Sequence, residues 1–476
     1  AVLAKAFAEQ QARPPAASLP SMTGLQIGSA DSKQMLAFVV GSRPHEQIQQ
    51  GRVVLTGRQP IVQQSARHLR QVGRGLAPLA VLGSVVATRV ASRRSMRMRA
   101  VFTENGLNHL SRHTYTPGAY TPLDERLNPF WQFLVDCLPK WLPPNVVTLV
   151  GFVPMALAYG LAWWQSPGFA VPASRSLILF TVIALWVYQT TDAMDGKHAR
   201  KIGAATPVGQ LFDHGFDCLA TLSFHSMACM VLLPSASSWG LAGQAALMTG
   251  FFLAQWSERH VGVLPTSYGA VGVTETQFAL MGSLLLGATF GPEVVQSFGS
   301  KLVWSPFSAD LIPRGVAMCQ GWGVFCGTIA AMCLFKTARH VATKKRCEFA
   351  TAISELIPMA LINILFFCWS PEVLATAPRL LSLSTGLVMF YFTAQMILYS
   401  MAGMPFPTRQ LTLLPYSLLV GASWLLPGET EMLRMGILAL ASGLGVRIGT
   451  YLLQAVGEMK GKLGIYVFSL RKSATR

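Results

Sequence analysis

Charge is what this 476-residue chain has least of: 12% of its residues are Asp, Glu, Lys or Arg, and only 21 are acidic. With 51% hydrophobic residues and a mean hydropathy of +0.42, that scarcity excludes an ordinary soluble domain and fits a polytopic membrane protein. The eight cysteines include no C-x-x-C pair, so neither a disulfide framework nor a zinc site is expected. Cys319, Cys326 and Cys333 recur every seven residues, as a small-residue helix face does. Halves related by an internal repeat are also lacking, which argues against a transporter built from inverted repeats. The net charge of +17 would suggest nucleic acid in a soluble chain. Here the excess sits in an amino-terminal arm and in loops, so topology and anionic lipid account for it and no nucleic-acid partner is expected.

The few ionisable groups are concentrated. Residues 192–217 read DAMDGKHARKIGAATPVGQLFDHGFD, between two long apolar runs. Ionisable groups at membrane depth cost about 2.5–3.5 kcal/mol each at a helix centre, so such a cluster marks a site. On helices, Asp192 and Asp195 are i, i+3 neighbours, and Gly209, Asp213 and Asp217 fall at i, i+4, i+8, so each set shares a face. Two such faces form an oxygen-rich cage suited to hard divalent cations, Mg2+ or Mn2+. A pair of ions would relieve the carboxylate repulsion and polarise a phosphoanhydride. Gly196, Ala199 and Gly209 leave room for a nucleotide, while Arg200 and Lys201 offer charge to phosphates.

The pattern D-x2-D-G-x2-A-R-x8-G-x3-D-x3-D, met at Asp192, Asp195, Gly196, Ala199, Arg200, Gly209, Asp213 and Asp217, resembles the signature of the CDP-alcohol phosphotransferase family. The flanking Y-Q-T-T and the internal L-F-D-H-G resemble its eukaryotic choline/ethanolamine branch. The resemblance implies transfer of phosphocholine or phosphoethanolamine from the CDP-alcohol to diacylglycerol, with two metal ions held by the four aspartates. It also implies an endoplasmic-reticulum enzyme whose site faces the cytosol. A CDP-diacylglycerol-dependent phosphatidyltransferase shares the eight residues, but those relatives resemble shorter chains. A membrane transporter or scaffold is the alternative outside enzymes.

Along the chain, residues 1–104 form a basic arm, with fourteen Lys/Arg against three acids in the first hundred residues. A disordered arm on anionic lipid and an organelle-targeting segment both explain that composition. Residues 105–144 mix aromatics, prolines and charges; Trp131, Phe133, Leu134 and Leu138 beside Asp136 and Lys140 predict an amphipathic interfacial helix ended by Pro143 and Pro144. The spacing of apolar runs predicts an all-α protein with ten transmembrane helices, near 145–165, 174–191, 209–233, 238–256, 275–297, 317–336, 353–370, 380–401, 410–427 and 433–454. Residues 145–297 are the expected catalytic core, 298–456 additional spans shaping a lipid pocket or a homodimer contact, and 457–476 a basic cytosolic tail. Fifteen Lys/Arg fall on the side of the aspartate motif and five on the other, which puts the motif at the cytosolic face.

His214, beside Asp213, is a candidate general base; the resemblance points either to it or to Asp217, itself also a metal ligand. Asn145, in P-N-V-V-T, resembles a residue bordering the family's nucleotide site and equally suits a helix cap. Glu275, in V-T-E-T-Q, resembles the branch's V-T-E-x-Q and could meet a cationic head group or cap its helix. His198 and Gln210 depart from the common residues of the family; His198 is expected to be peripheral.

Overall fold

The computed structural model describes residues 100–169, 171–232, 238–299 and 317–470, all within one compact unit, Met96–Arg476. The arm through residue 99 and the last six residues of the expected tail lie outside the described residues.

Helices carry nearly everything. After a short α1 (Glu104–Leu110), α2 spans Pro122–Cys137. Its start is written locally: the Thr121 hydroxyl accepts from Asp124 N at 3.1 Å, Asp124 Oδ2 accepts from Thr121 N at 2.9 Å, and Pro122 occupies the first turn, a reciprocal cap that satisfies two orphan amides. This helix stops at Cys137, short of the prolines expected to end it. Pro144 instead opens α3 (Pro144–Gln165), where a missing N–H costs nothing.

The next helices are α4 (Arg175–Lys201), α5 (Pro207–Leu232) and α6 (Ser238–Val261), followed by a two-residue hairpin pairing Ser267 with Gly272 and Tyr268 with Val271. Then come α7 (Val273–Phe290), α8 (Pro292–Gly299), α9 (Ala317–Lys344), α10 (Phe349–Ser354), α11 (Ile357–Phe367), α12 (Pro371–Thr376), α13 (Pro378–Met401), α14 (Leu413–Leu425) and α15 (Thr430–Leu463). Helix occupies each of the ten expected stretches, although the fifth breaks at Gly291 and the seventh is in pieces. Five helical stretches among the described residues are long and apolar enough to cross a membrane: 144–165, 175–201, 346–367, 378–401 and 430–463. The chain is thus an all-α integral membrane protein; the count of ten goes beyond what length and apolarity establish.

Two packed regions set the frame. In the first, α3, α4, α5 and α7 bury Met155, Ile178, Leu185, Met227 and Leu284. In the second, α13 is the pivot: its apolar window is 89% buried, against 22% for α15, and it packs on α5, α6, α11 and α15. Outward-facing Val150, Val153, Leu157, Leu161 and Trp164 on α3 recur every three or four residues, as a lipid-facing stripe does.

Two details fix the site's end of the bundle. A Cβ on Gly151 would lie 2.0 Å from the Thr191 Oγ1 atom, so α3 and α4 touch one residue before Asp192. At the start of the described chain, Val101 N and Phe102 N donate to the Glu458 carboxylate at 2.9 and 3.0 Å, docking α1 against the end of α15. The far end is pinned by fully buried Arg379, which donates to Ser166 O at 2.9 Å and Ser226 Oγ at 2.6 Å and stacks on Phe169 at 3.9 Å.

Candidate active site

The aspartates meet because α4 ends, and α5 begins, at the same end of the bundle. Carboxylate oxygens of Asp192, Asp213 and Asp217 lie within 4.8 Å of one another. Asp195 stands outside that trio: its Oδ2 accepts a buried hydrogen bond from the Thr148 hydroxyl of α3. The Tyr188 hydroxyl, one turn before Asp192, donates to Asp217 Oδ1 and bridges α4 to α5.

Among the described residues no lysine or arginine forms an ion pair with the trio; Lys197 acts on Asp192 only from a distance. Lys197 Nζ lies 5.4 Å from the Tyr120 ring centroid and 4.9 Å from that of Trp131, and donates to Ala193 O at 3.1 Å. Lys201 pairs with Asp136 of α2 at 2.8 Å. Three half-buried carboxylates this close, with no ion pair to any of them, would repel one another, and their oxygens suit a hard divalent cation. The residues present fit such an ion.

Around this centre the other expected residues take up distinct positions. Gly196 faces the Arg200 guanidinium, which a Cβ would approach to 3.5 Å, and a Cβ on Gly209 would lie 3.6 Å from Asn145 Oδ1. Asn145 is buried and does not cap α3, whose N-cap is Pro143. Its Nδ2 donates instead to Val467 O at 2.8 Å, with Phe468 edge-on to Phe212 at 5.5 Å. A carbonyl from the chain's last described segment therefore reaches this wall. Ala199 is half-buried and its carbonyl closes the end of α4 with Ala204 N at 2.8 Å. His198 is fully buried and bonds Leu142 O at 2.9 Å, a structural tie at the periphery.

His214 is 4% exposed, with the Tyr115 ring edge-on at 5.4 Å and its Nδ1 without a hydrogen-bond partner. Glu275 Oε2 accepts from Gly272 N at 2.8 Å and so caps α7, its Oε1 being buried without a hydrogen-bond partner, while Thr274 bonds Asp124 of α2. Burial, reinforced by the charges of Asp213, Glu258, Asp217 and Asp192, raises the Tyr115 phenol above its usual range, a sign that this loop tyrosine looks onto the carboxylates. Sequence reasoning gave no role to Thr148 and Tyr188, although they stand in the quoted P-N-V-V-T and Y-Q-T-T, and passed over Tyr115. The first two had a usable signal, because Thr148 lies three residues after Asn145 and Tyr188 four before Asp192.

Comparison with known proteins agrees with the motif. Residues 141–305 match the family model described as CDP-alcohol phosphatidyltransferase. The chain is 30% identical over 230 residues to cholinephosphotransferase 1 of Gallus gallus, covering 47% of this chain and 63% of that protein. It is 26% identical over 370 residues to ethanolaminephosphotransferase 1 of Mus musculus, covering 73% and 88% respectively. Cholinephosphotransferase 1 of Saccharomyces cerevisiae is 27% identical over 292 residues, covering 59% and 74%. Residues 141–305, which carry all eight motif positions, are thus similar to the CDP-alcohol phosphatidyltransferase domain.

Proposed function

We propose that this membrane phosphotransferase moves phosphocholine or phosphoethanolamine from the CDP-alcohol to 1,2-diacylglycerol, yielding the phospholipid and CMP. The observation that carries the reading is the trio Asp192, Asp213 and Asp217, with carboxylate oxygens within 4.8 Å, beside the small residues Gly196 and Gly209. With Asp195 they would hold Mg2+ or Mn2+, two ions in the fullest form, which supply neutralising charge to the pyrophosphate when bound.

The chain's own residues account for the remainder. The diacylglycerol hydroxyl attacks the β-phosphorus in line and forms the new P–O bond. The bond from that phosphorus to the bridging oxygen breaks, and its electron pair leaves with CMP. His214 takes the hydroxyl proton: its Nδ1 is unengaged, whereas Asp217 is occupied by Tyr188 and the carboxylate trio. Gly196, Ala199 and Gly209 admit the nucleotide, with Asn145 and Arg200 as polar contacts. Diacylglycerol enters sideways from the leaflet, since a route through water would expose its full apolar surface. An endoplasmic-reticulum location with the site facing the cytosol suits the fifteen-to-five bias in basic residues.

The test is CMP release by the purified chain in detergent with Mg2+, diacylglycerol and either CDP-choline or CDP-ethanolamine. Release requiring both metal and diacylglycerol is expected. Release only from CDP-diacylglycerol with inositol would move the protein to the phosphatidyltransferase branch, and none under any condition would overturn the reading.

A further inference from the structure

Away from the aspartates, α9 carries a basic face that the chemistry above does not use. Residues 317–347 contain no acid, and Lys336, Arg339, Lys344, Lys345 and Arg346 crowd their last third. Among the described residues none of these five forms an ion pair. Met332, Lys336, Arg339, His340 and Thr343 recur at i, i+4, i+7, i+8 and i+11, the spacing of one helical face. With Phe335 on its flank, that face lines a groove. A different face of α9, with Ala330, Cys333, Thr337 and Val341 buried, packs against α6.

The groove lies where apolar surface gives way to charge. Outward-facing residues up to this point are apolar, with Val324 62% exposed and Phe335 67%, as contact with acyl chains requires. Charge begins at the next residue, Lys336, which puts the groove at head-group level. This is also the aspartate end of the bundle. Just beyond α9, Ala352 O accepts from Trp256 Nε1 of α6 at 3.1 Å. One turn further along α6 than Trp256's own, Glu258 Oε1 accepts from Gln210 Nε2 of the motif helix at 2.9 Å. Lys336 Nζ lies 4.8 Å from the Tyr268 ring centroid, a contact that holds the ammonium in place without neutralising it.

A bias toward basic residues on one side of the membrane accounts for the number of these charges, but not for their alignment under an apolar stripe. An ammonium beside a guanidinium suits a phosphate. Phe335 and Met332 offer a surface that a free phosphate would not use and an acyl chain would. We infer that this face of α9 binds an anionic phospholipid, its phosphate on Lys336 and Arg339 and its acyl chain along Phe335 and Met332. His340 and Thr343 border the head group. The site depends on membrane placement alone and stands apart from the proposed reaction.

The test reads lipid retained by the purified full chain in detergent, by native mass spectrometry. Phosphatidylglycerol competes with a galactosyldiacylglycerol of the same acyl chains, which has no phosphate. Wild type should retain the anionic lipid about tenfold more, the order expected of two basic residues at an anionic head group. Lys336→Gln with Arg339→Gln should bring the ratio near one. Lys345→Gln with Arg346→Gln removes the same charge just outside the groove and should leave the ratio unchanged. All four side chains are exposed, so both variants should keep the wild-type thermal midpoint. A preference retained in the first variant, an equal loss in both, or no preference in wild type overturns the inference. Displacement of the lipid by inorganic phosphate would mean a free-anion site and overturns it as well.

Discussion

At the scale of single residues the site separates charge from position. Asp213→Asn removes one member of the trio while keeping its shape, so turnover should fall below about 1% of wild type, beyond the roughly 10–100-fold typical of supporting groups. An unchanged thermal midpoint without metal would show that the fold survives. Tyr188→Phe removes only the hydroxyl that steers Asp217; a loss of about 10–100-fold in CMP release is expected, with the metal concentration for half-activity rising in parallel. Turnover equal to wild type would mean that Asp217 needs no such steering. The aspartates were legible in the sequence because few other charges compete with them. Glu258 was not: an acid at the end of a span reads as a solvated helix terminus until Gln210 is seen donating to it.

At the scale of elements, the approach of α3 to α4 determines where Asp192 and Asp195 stand. Gly151→Val would force atoms into the Thr191 side chain; overpacking of this kind costs about 1–3 kcal/mol. The expected result is a lower thermal midpoint together with lost activity, because the same displacement moves Asp192. Helix α2 is held more loosely. Lys201 hydrogen-bonds Asp136 and holds its carboxyl below the usual range, so the contact contributes above the ordinary Asp pKa and fades as pH falls through the lowered one. Protection of the α2 amides, taken relative to their intrinsic exchange rates, should therefore fall on acidification, and in Asp136→Asn it should be low at neutral pH as well. The amphipathic pattern foretold α2 and the apolar runs foretold α3 and α4, but not their ends. Prolines 143 and 144 looked like stops, yet Pro144 starts α3, since a ring without N–H suits a first turn as well as a last.

At the scale of the whole molecule, three carboxylates brought together within the bundle should make stability depend on metal. Mg2+ at about 100 times its dissociation constant adds about 2.7 kcal/mol to the folded state. Chelation should lower the thermal midpoint of wild type and leave that of Asp213→Asn nearly unmoved; equal shifts in both would argue against metal binding at the trio. Long-range ties such as Arg379 to Ser166 and Ser226 were invisible in the sequence, where Arg379 counted only as a positive charge in a loop. Its burial reflects where the start of α13 meets Ser166, just after α3, and Ser226 on α5, and no local pattern records that.

The bond from Asn145 to the carbonyl of Val467 joins positions 322 residues apart. In order of synthesis, the motif helices are made well before this partner. A ribosome-bound chain can thus hold all four aspartates for many seconds, at about 5–20 residues per second, while one wall of its cleft is still missing. Full competence would then await synthesis of Val467, and a product stopped shortly before it would retain the entire motif without a finished site.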